Sequence, residues 1–158
     1  MNRVNAVWQH ETYQSCLSKL KTWEEKREFC RHTPEHFLDV ARLTWILALE
    51  QGIPAKKEIV YAAGLLHDIG RFRQYEEGIP HEQASAELAE QILRDCGFDE
   101  EEREQILELI WEHRTKGQEE TLASLFYRAD KLSRSCYSCP AREKCDWPKE
   151  KKNLEIRI

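Results

Sequence analysis

The sequence predicts an all-α protein, a helical bundle of about six helices with a short cysteine-containing appendage at its C-terminus. Apolar residues recur at the three- and four-residue spacing of helices that pack on a core. Capping residues and glycines stand at the ends of most of these segments, and no segment shows a convincing strand pattern. A chain of 158 residues can bury such a core as one compact domain without disulfide bonds.

Start and stop signals give the order of the helices. The second helix begins with Thr33 as N-cap and Pro34 in its first turn, and Gly52 ends it. Asp99 with Glu102 resembles a capping box at the start of the fifth helix. A polar loop is expected between the third and fourth helices. The predicted helical segments are residues 5–29, 33–52, 54–70, 81–95, 99–117 and 119–135.

The charge balance limits the classes of partner. The chain has 24 lysines and arginines against 29 aspartates and glutamates, a formal net charge of -5. Because proteins that bind a nucleic acid polymer usually present a basic face, such a partner is not expected. A small anionic ligand is compatible, since a few cations or metal ions in a cleft can override the net charge. With no apolar stretch typical of a membrane span or an export signal, the sequence predicts a cytoplasmic protein without a membrane partner and leaves a homodimer open.

Histidines and aspartates form the pattern that indicates chemistry. His67 and Asp68 directly follow the apolar run 62–66, where ionisable groups are costly unless they are paired or bind a metal. Neighbouring residues on a helix point about 100° apart, so one ion meets both side chains only near the helix end. Taken alone, this dipeptide favours an ordinary polar helix end. Its context along the chain changes that interpretation.

The order of the histidines and aspartates resembles the HD superfamily, in which a histidine on one helix precedes a His-Asp pair and a distant aspartate. The matching segments are HFLDVAR from His36, GLLHDIG from Gly64, HEQASAELA from His81, IWEHRTKG with His113, and ADKL with Asp130. The middle and end of this order are similar to bacterial HD hydrolases that split diadenosine tetraphosphate. The resemblance spans residues 31–135 and implies an HD-domain helical bundle at 1–135, followed by a cysteine-rich tail at 136–158. The metal ligands that it implies are His36, His67, Asp68, His81, His113 and Asp130.

Six ligands suit two ions better than one. Two histidines and two aspartates would leave two positions for water on one six-coordinate ion. With His81 and His113 added, the ligands are too many for a single catalytic ion that keeps open positions. Asp68 would then bridge the two ions through its two carboxylate oxygens. Imidazole and carboxylate ligands without a thiolate favour iron, manganese, cobalt or zinc, and these ligand types do not discriminate among the four divalent metals.

The chemistry expected of such a site is hydrolysis of a phosphate ester or anhydride in a small, nucleotide-like molecule. Two close cations produce a bridging hydroxide at neutral pH, which attacks phosphorus, and they neutralise charge on the phosphoryl group. Asp68, Arg71 and Lys131 are the predicted catalytic residues. The predicted contacts to the anionic phosphorylated substrate are Arg71, Arg114, Lys116 and Lys131, although each could equally be a surface charge.

Two other functions fit the same ligands. Some superfamily members hold two irons and use dioxygen to cleave C–C or C–P bonds, and a non-catalytic binding or sensing module is the third hypothesis. Diadenosine tetraphosphate itself is not assigned as the substrate, because the chain is shorter than typical relatives that cleave dinucleotides. In addition, many HD hydrolases have a basic residue a few positions before the first histidine, whereas here Arg31 precedes His36 by five with Pro34 between them.

Two histidines and one cysteine are interpreted separately. His32 lies before the predicted N-cap, and a solvated loop histidine is the favoured interpretation, with a cleft-edge residue that touches substrate as the alternative. His10 has no supporting context. Cys96, beside Gly97 at a helix end, is interpreted as core packing.

Three cysteines characterise the tail. Cys136, Cys139 and Cys145 form C-x2-C-x5-C, and the first spacing suits two thiolates on one metal. They are one short of a closed zinc or iron–sulfur site, which Cys30, Cys16 or a non-cysteine ligand could complete. Zinc, an iron–sulfur cluster, a reversible disulfide and reduced cysteines in a flexible tail all stay open. Because the tail directly follows the last helix, an ordered tail could cover the cleft and shape the substrate pocket, or couple redox state to the metals.

Overall fold

The structure is a computed structural model that describes residues 1–114 and 119–157. Every regular element in these residues is helical, which confirms the all-α class. None of the described helices has the length and hydropathy that a bilayer crossing requires. The α-helices are α1 (Asn2–Gln9), α2 (Glu11–Glu24), α3 (Pro34–Gln51), α4 (Lys57–Leu66), α5 (Arg71–Glu77), α6 (His81–Asp95), α7 (Glu100–Glu112) and α8 (Leu122–Leu132). Short 3-10 turns follow at Cys136–Ser138, Arg142–Lys144 and Lys149–Lys151.

Local sequence signals account for several helix ends. The Thr33 hydroxyl accepts a hydrogen bond from the His36 amide at 3.5 Å, so α3 begins where the sequence predicted. Gly52 ends α3 at φ 65°, a left-handed conformation that glycine adopts without a Cβ penalty. At α7, both hydrogen bonds of the capping box between Asp99 and Glu102 form. These ends depend on residues close together in the chain, which makes them predictable from sequence.

Several of the predicted segments are wrong in detail. The helix expected at 5–29 is two helices, because His10 has extended backbone at ψ 131° and its ring caps α2 through the Thr12 amide. The segment predicted as a polar loop before α6 contains α5. The helix expected to reach Gly70 stops at Leu66 and is followed by a four-residue turn.

The last helix is shorter than predicted. Gly117, the expected separator of the last two helices, lies outside the described residues. The Thr121 hydroxyl accepts from the Ser124 amide at 3.2 Å, so α8 begins after residue 121 rather than at 119. It ends at Leu132, before the predicted end at residue 135.

Helices α3 and α4 pack closely at the centre of the bundle, and this approach depends on Gly64. A Cβ at Gly64 would lie 2.7 Å from the Ala41 Cβ and 2.9 Å from the Phe37 carbonyl oxygen. Helix α3 also packs on α8, and α7 contacts α4, α6 and α8. The largest fully buried apolar side chains are Tyr13, Leu20, Phe37, Ile59, Leu65, Leu66, Ile69, Ile92, Leu93, Ile106, Ile110 and Phe126. This packing brings together the helix ends that carry the histidines and aspartates.

Residues after α8 fold back onto the bundle. The Asn153 side chain donates hydrogen bonds to the carbonyl oxygens of Lys131 at 2.7 Å and Arg134 at 2.9 Å, where α8 ends. Lys144 pairs with Glu28, in the loop after α2, at 2.8 Å. The tail therefore packs against the end of α8 and against the loop between α2 and α3.

Candidate metal centre

Five buried side chains surround Asp68, which is itself buried. Its Oδ1 lies 3.2 Å from His81 Nε2 and 3.8 Å from His113 Nε2. Its Oδ2 lies 3.4 Å from His67 Nε2 and 3.9 Å from His36 Nε2. The potential ligand atoms form two groups, each within 4.8 Å: His36, His67, Asp68 and Asp130, and Asp68, His81 and His113. Asp68 belongs to both groups and directs one oxygen at each.

These six residues, called the His/Asp cluster below, come from helix ends and one turn. They are supplied by the first turn of α3 (His36), the turn after α4 (His67 and Asp68), the start of α6 (His81), the residue after α7 (His113) and the last turn of α8 (Asp130). Only one pair is adjacent in sequence. The other members meet because α3, α4, α6, α7 and α8 pack around a common core.

Backbone hydrogen bonds orient two of the histidines toward Asp68. His67 Nδ1 donates to the Gly64 carbonyl oxygen at 2.8 Å, and His113 Nδ1 donates to the Ile110 carbonyl oxygen. A neutral imidazole that donates from Nδ1 carries its lone pair on Nε2. Both rings therefore direct a potential ligand atom into the His/Asp cluster.

Side chains hold His36 and His81 in the same tautomer. Ser133 Oγ donates to the Asp130 carbonyl oxygen at 2.7 Å, so it accepts from His36 Nδ1 at 2.9 Å. His81 Nδ1 donates to Gln74 Oε1 at 3.1 Å. Outer partners of this kind are typical of histidines that bind metals, because they hold the ring orientation and the tautomer.

Two features of the His/Asp cluster fit bound cations. The Nε2 atoms of His81 and His113 lie 3.1 Å apart and both present a lone pair, an arrangement that a cation between them would stabilise. Within the described part of the chain, His67 Nε2, Asp68 Oδ1 and Asp130 Oδ1 are buried without a hydrogen-bond partner. Buried polar atoms are normally hydrogen-bonded, so three such atoms at one point indicate a place for a ligand. The cluster is therefore compatible with divalent metal binding.

Burial and charge keep His67, His81 and Asp68 in the protonation states that bind cations. Burial lowers the pKa of His67 to about 3 and the pKa of His81 to about 4, so both rings are neutral at pH 7. Burial opposes ionisation of Asp68, but His32, His67 and Arg71 together hold the pKa of this carboxyl well below its ordinary value. Neutral imidazoles and an ionised carboxylate are the forms that coordinate divalent metals.

A cleft of about 450 Å³ adjoins the His/Asp cluster, a volume typical of sites for small molecules. Five cationic side chains line it: Arg27, Arg71, Arg114, Lys131 and Arg134. Sequence reasoning missed Arg27 and Arg134. Arg114 is about half exposed, at the rim of the cleft. Lys116, the remaining predicted substrate contact, lies outside the described residues.

Three of these cations approach the carboxylates of the cluster. Arg71 Nη1 lies 3.5 Å from Asp68 Oδ1, and Arg134 Nη2 lies 3.7 Å from Asp130 Oδ1. Lys131 Nζ donates a hydrogen bond to Asp130 Oδ2. Positive charge is therefore concentrated where the cleft meets the His/Asp cluster.

The interpretation of His32 as a solvated loop histidine is wrong. Its ring is buried and lines the cleft, with Nε2 3.6 Å from Asp68 Oδ2. Its Nδ1 donates to Glu24 Oε1 at 2.9 Å, and its backbone amide donates to the same carboxylate. Burial lowers the pKa of His32 to about 4. Burial opposes ionisation of Glu24, but the hydrogen bonds from His32 lower the pKa of this carboxyl to about 2.

A signal in the sequence could have identified His32. It stands four positions before His36, in the region where many HD hydrolases carry a basic residue. Arg31 was considered for that position, but its side chain is exposed and donates to backbone carbonyl oxygens in the loop after α2. The backbone before α3 therefore turns the histidine, and not the arginine, toward the cleft.

Glu24 was also missed, although it connects several cleft residues. Tyr75 Oη donates to Glu24 Oε1 at 2.8 Å and accepts from Arg27 at 2.9 Å and from Arg71 at 3.1 Å. The available signal was its place on the helix: Glu24 lies four residues after the buried Leu20, on the apolar face of α2. A carboxylate on such a face needs a partner, and the fold supplies several.

Four cysteines from two segments line one small cavity. They are Cys30, in the loop after α2, and Cys136, Cys139 and Cys145, in the tail, together with Phe29, Arg142 and Lys152. All six cysteines of the chain are free thiols. Cys16 is buried in the hydrophobic core and does not line this cavity. Cys96 is partly buried at the end of α6 and packs against the core, as predicted.

The tail also forms part of the cleft wall. Cys145, Asp146 and Trp147 line the cleft together with Phe29 and Cys30 from the loop after α2. The tail residues that follow the last cysteine therefore lie at the site where a cleft ligand would bind.

Comparisons with known proteins identify the family of the chain. The profile of the family described as HD domain matches residues 33–135. An uncharacterized protein of Clostridium beijerinckii is 45% identical over 156 residues, 99% of both chains. An uncharacterized protein of Methanocaldococcus jannaschii is 45% identical over 69 residues, 42% of this chain and 37% of that one. Ribonuclease Y of Lawsonia intracellularis is 34% identical over 110 residues, 68% of this chain but 19% of that protein. No solved structure matches the chain significantly.

Proposed function

The chain belongs to the HD-domain family, whose members are generally metal-dependent phosphohydrolases, and from this premise we propose that it hydrolyses a phosphate ester or anhydride of a small, nucleotide-like molecule. The observation that carries the proposal is the set of five cationic side chains around a cleft that adjoins the His/Asp cluster. A phosphoryl group is the kind of ligand that such a cleft attracts. The net charge of -5 and the volume of about 450 Å³ support a small substrate over a nucleic acid polymer.

We infer two divalent ions at the His/Asp cluster, one in each group, with Asp68 shared between them. Bound there, two cations would supply a strong nucleophile from water at neutral pH and offset charge on phosphoryl oxygens. The chain contributes imidazoles whose Nε2 atoms are already directed inward, and the carboxylates of Asp68 and Asp130, whose pKa values are held well below the ordinary value. Iron, manganese, cobalt and zinc all suit this donor set.

Arg71, Lys131 and Arg134 are the residues that we expect to hold the phosphoryl group of the substrate. They are the cleft cations closest to the cluster carboxylates, and a guanidinium pairs with phosphate through two parallel hydrogen bonds. Tyr75 accepts from Arg71 at 3.1 Å and so restrains this guanidinium before substrate binds. Arg114 lies at the rim of the cleft, where we expect it to contact the part of the substrate that is not cleaved.

We propose that His32 Nε2 accepts a proton from the attacking water and passes it to the leaving oxygen of the substrate. Because Glu24 holds Nδ1, the ring faces the Asp68 side of the cleft with Nε2, and the Glu24 carboxylate stabilises the ring when it carries a proton. His32→Gln is expected to lower kcat by about 100-fold and to leave the metal content unchanged. Steady-state kinetics and elemental analysis measure the two quantities. His10→Gln, at the start of α2 and away from the cleft, is the matched control, and loss of metal in His32→Gln would instead make His32 a ligand.

The proposed function is tested by phosphate release from a panel of substrates, using the purified chain loaded with Mn²⁺, Fe²⁺ or Co²⁺. The panel contains phosphomonoesters, nucleoside mono-, di- and triphosphates, a dinucleoside polyphosphate and an RNA oligonucleotide. We expect hydrolysis of a small substrate and no cleavage of the oligonucleotide. Cleavage of RNA alone would contradict the substrate class. Oxygen consumption without phosphate release would indicate the di-iron oxygenase alternative, and inactivity of the fully loaded protein would indicate a binding or sensing module.

The two-ion arrangement makes a separate prediction. A His81→Ala, His113→Ala double variant is expected to bind one ion per chain where the wild type binds two, because it removes both histidines of one group and leaves the other group intact. Elemental analysis measures the stoichiometry, and far-ultraviolet circular dichroism checks the fold. Unchanged stoichiometry in the folded double variant would refute the two-ion arrangement.

A further inference from the structure

The four cysteines that line the small cavity take no part in the proposed hydrolysis. One comes from the loop after α2 and three from the tail, so only the folded chain brings them together. The cysteines are free thiols, and two of them have the C-x2-C spacing that suits ligation of one centre. Four thiols around one cavity are the complete ligand set of a zinc site or an iron–sulfur cluster.

The spacing of the sulfur atoms distinguishes between these two groups. Four thiolates at about 2.3 Å from one zinc ion lie about 3.8 Å from one another. Within the described residues, the sets of three or more ligand atoms that lie within 4.8 Å of one another contain only histidine and aspartate, so no three of these sulfurs are that close. A cubane cluster is larger than a single ion and holds its four cysteine sulfurs farther apart than a single zinc ion does. The absence of a close set of three sulfurs among the described residues therefore favours an iron–sulfur cluster over a single zinc ion.

The surroundings of the cavity suit an anionic group. Arg142 and Lys152 line it beside the cysteines, and Lys152 Nζ donates to the Cys145 carbonyl oxygen at 3.0 Å. Four thiolates around a cluster carry net negative charge, which neighbouring cations offset. Phe29 lines another side of the cavity and contributes an apolar wall.

We propose that Cys30, Cys136, Cys139 and Cys145 bind a [4Fe–4S] cluster that fastens the tail to the loop after α2. Cys145 is followed directly by Asp146 and Trp147, which line the cleft, and Cys30 lines the same cleft. The cluster thus holds one wall of the cleft in position. This site is distinct from the His/Asp cluster, and it stands whether or not the chain hydrolyses phosphate.

The test is chemical analysis of the full chain purified without oxygen. We expect about four iron and four acid-labile sulfide per chain in addition to metal at the His/Asp cluster, with the broad visible absorption of thiolate-bound iron. Serine at any one of the four cysteines should abolish the sulfide and the absorption. Cys96→Ser, at the end of α6, should keep both. Asp68→Asn should also keep both, which separates this iron from iron at the His/Asp cluster.

Several results would overturn the proposal. They are one zinc ion per chain without sulfide, a disulfide between two of the four cysteines in the purified protein, and failure of the wild type to bind a cluster after anaerobic incubation with iron and sulfide. Because a serine variant could fail to fold, the sulfide content of the wild type decides the question without any variant.

Discussion

Asp68→Asn is expected to abolish metal binding at both groups of the His/Asp cluster and to lower phosphohydrolase activity by about 1,000-fold. One oxygen of Asp68 faces each group, so the substitution removes an anionic ligand from both at once. Asparagine keeps the shape of the side chain, so the loss is one of charge and coordination and not of packing. No other single residue of the described cluster belongs to both groups.

The effect of metal on stability measures the same loss independently of activity. A metal present at 100 times its Kd stabilises the folded wild type by about 2.7 kcal/mol per site. Thermal denaturation should therefore show that Mn²⁺ raises the melting temperature of the wild type and leaves that of Asp68→Asn unchanged. Asp39→Asn, a change at a half-exposed position on α3, is the matched control and should behave as the wild type. Two ions retained by Asp68→Asn would contradict its role as the shared ligand.

Gly70→Ala is expected to destabilise the protein by about 3 kcal/mol, near the upper end of the usual cost of overpacking. The φ of Gly70 is -83°, which alanine adopts freely, so the backbone conformation contributes no strain. The added methyl group would lie 2.5 Å from the Ala84 carbonyl carbon and 2.8 Å from the Ala84 Cβ. It would also meet the Ser85 amide nitrogen, which is backbone. Because backbone atoms cannot rotate away as a side chain can, α5 and α6 would have to separate.

Chemical denaturation measures this loss, and Gly52→Ala is the control. Gly52 has φ +65° with open space around its Cβ position, so alanine there costs about 1 kcal/mol from the left-handed backbone alone. Separation of α6 from the turn after α4 would also move His81 away from Asp68, so metal affinity should fall in Gly70→Ala and not in Gly52→Ala. Equal destabilisation by the two substitutions would show that the close packing at Gly70 does not limit stability.

Gly70 illustrates how far the sequence predicts the fold. A glycine after an apolar periodic segment indicated the end of a helix, and the chain does turn there. The same position gave no indication of α5, because that helix is short and its polar residues resemble a loop. The caps at Thr33, Gly52 and Asp99 were predictable, since each depends on neighbours a few residues away.

The residues of the candidate site likewise fall into those that the sequence predicts and those that only the fold places. Each proposed metal ligand stands in a short motif, so its residue type and order along the chain identified it without knowledge of the fold. Glu24 and Arg134 stand in no such motif, and their place at the site follows from contacts with Tyr75 and His36, which are distant in sequence. The buried position of His32 differs from the expected solvated loop, because nothing local in the sequence shows which way a loop side chain points.

From its residues alone, the protein can be identified as an all-α member of the HD superfamily with six candidate metal ligands. Its tail has three cysteines, one fewer than a closed metal site needs. These properties depend on residue type, periodicity and order, which are all contained in the linear sequence. Only the folded chain shows how close each Asp68 oxygen lies to its group, the place of Arg27 and Arg134 in the cleft wall, and the convergence of Cys30 rather than Cys16 with the tail cysteines. They are distances between residues far apart in sequence, and the packing of α3, α4, α6, α7 and α8 around a common core sets those distances.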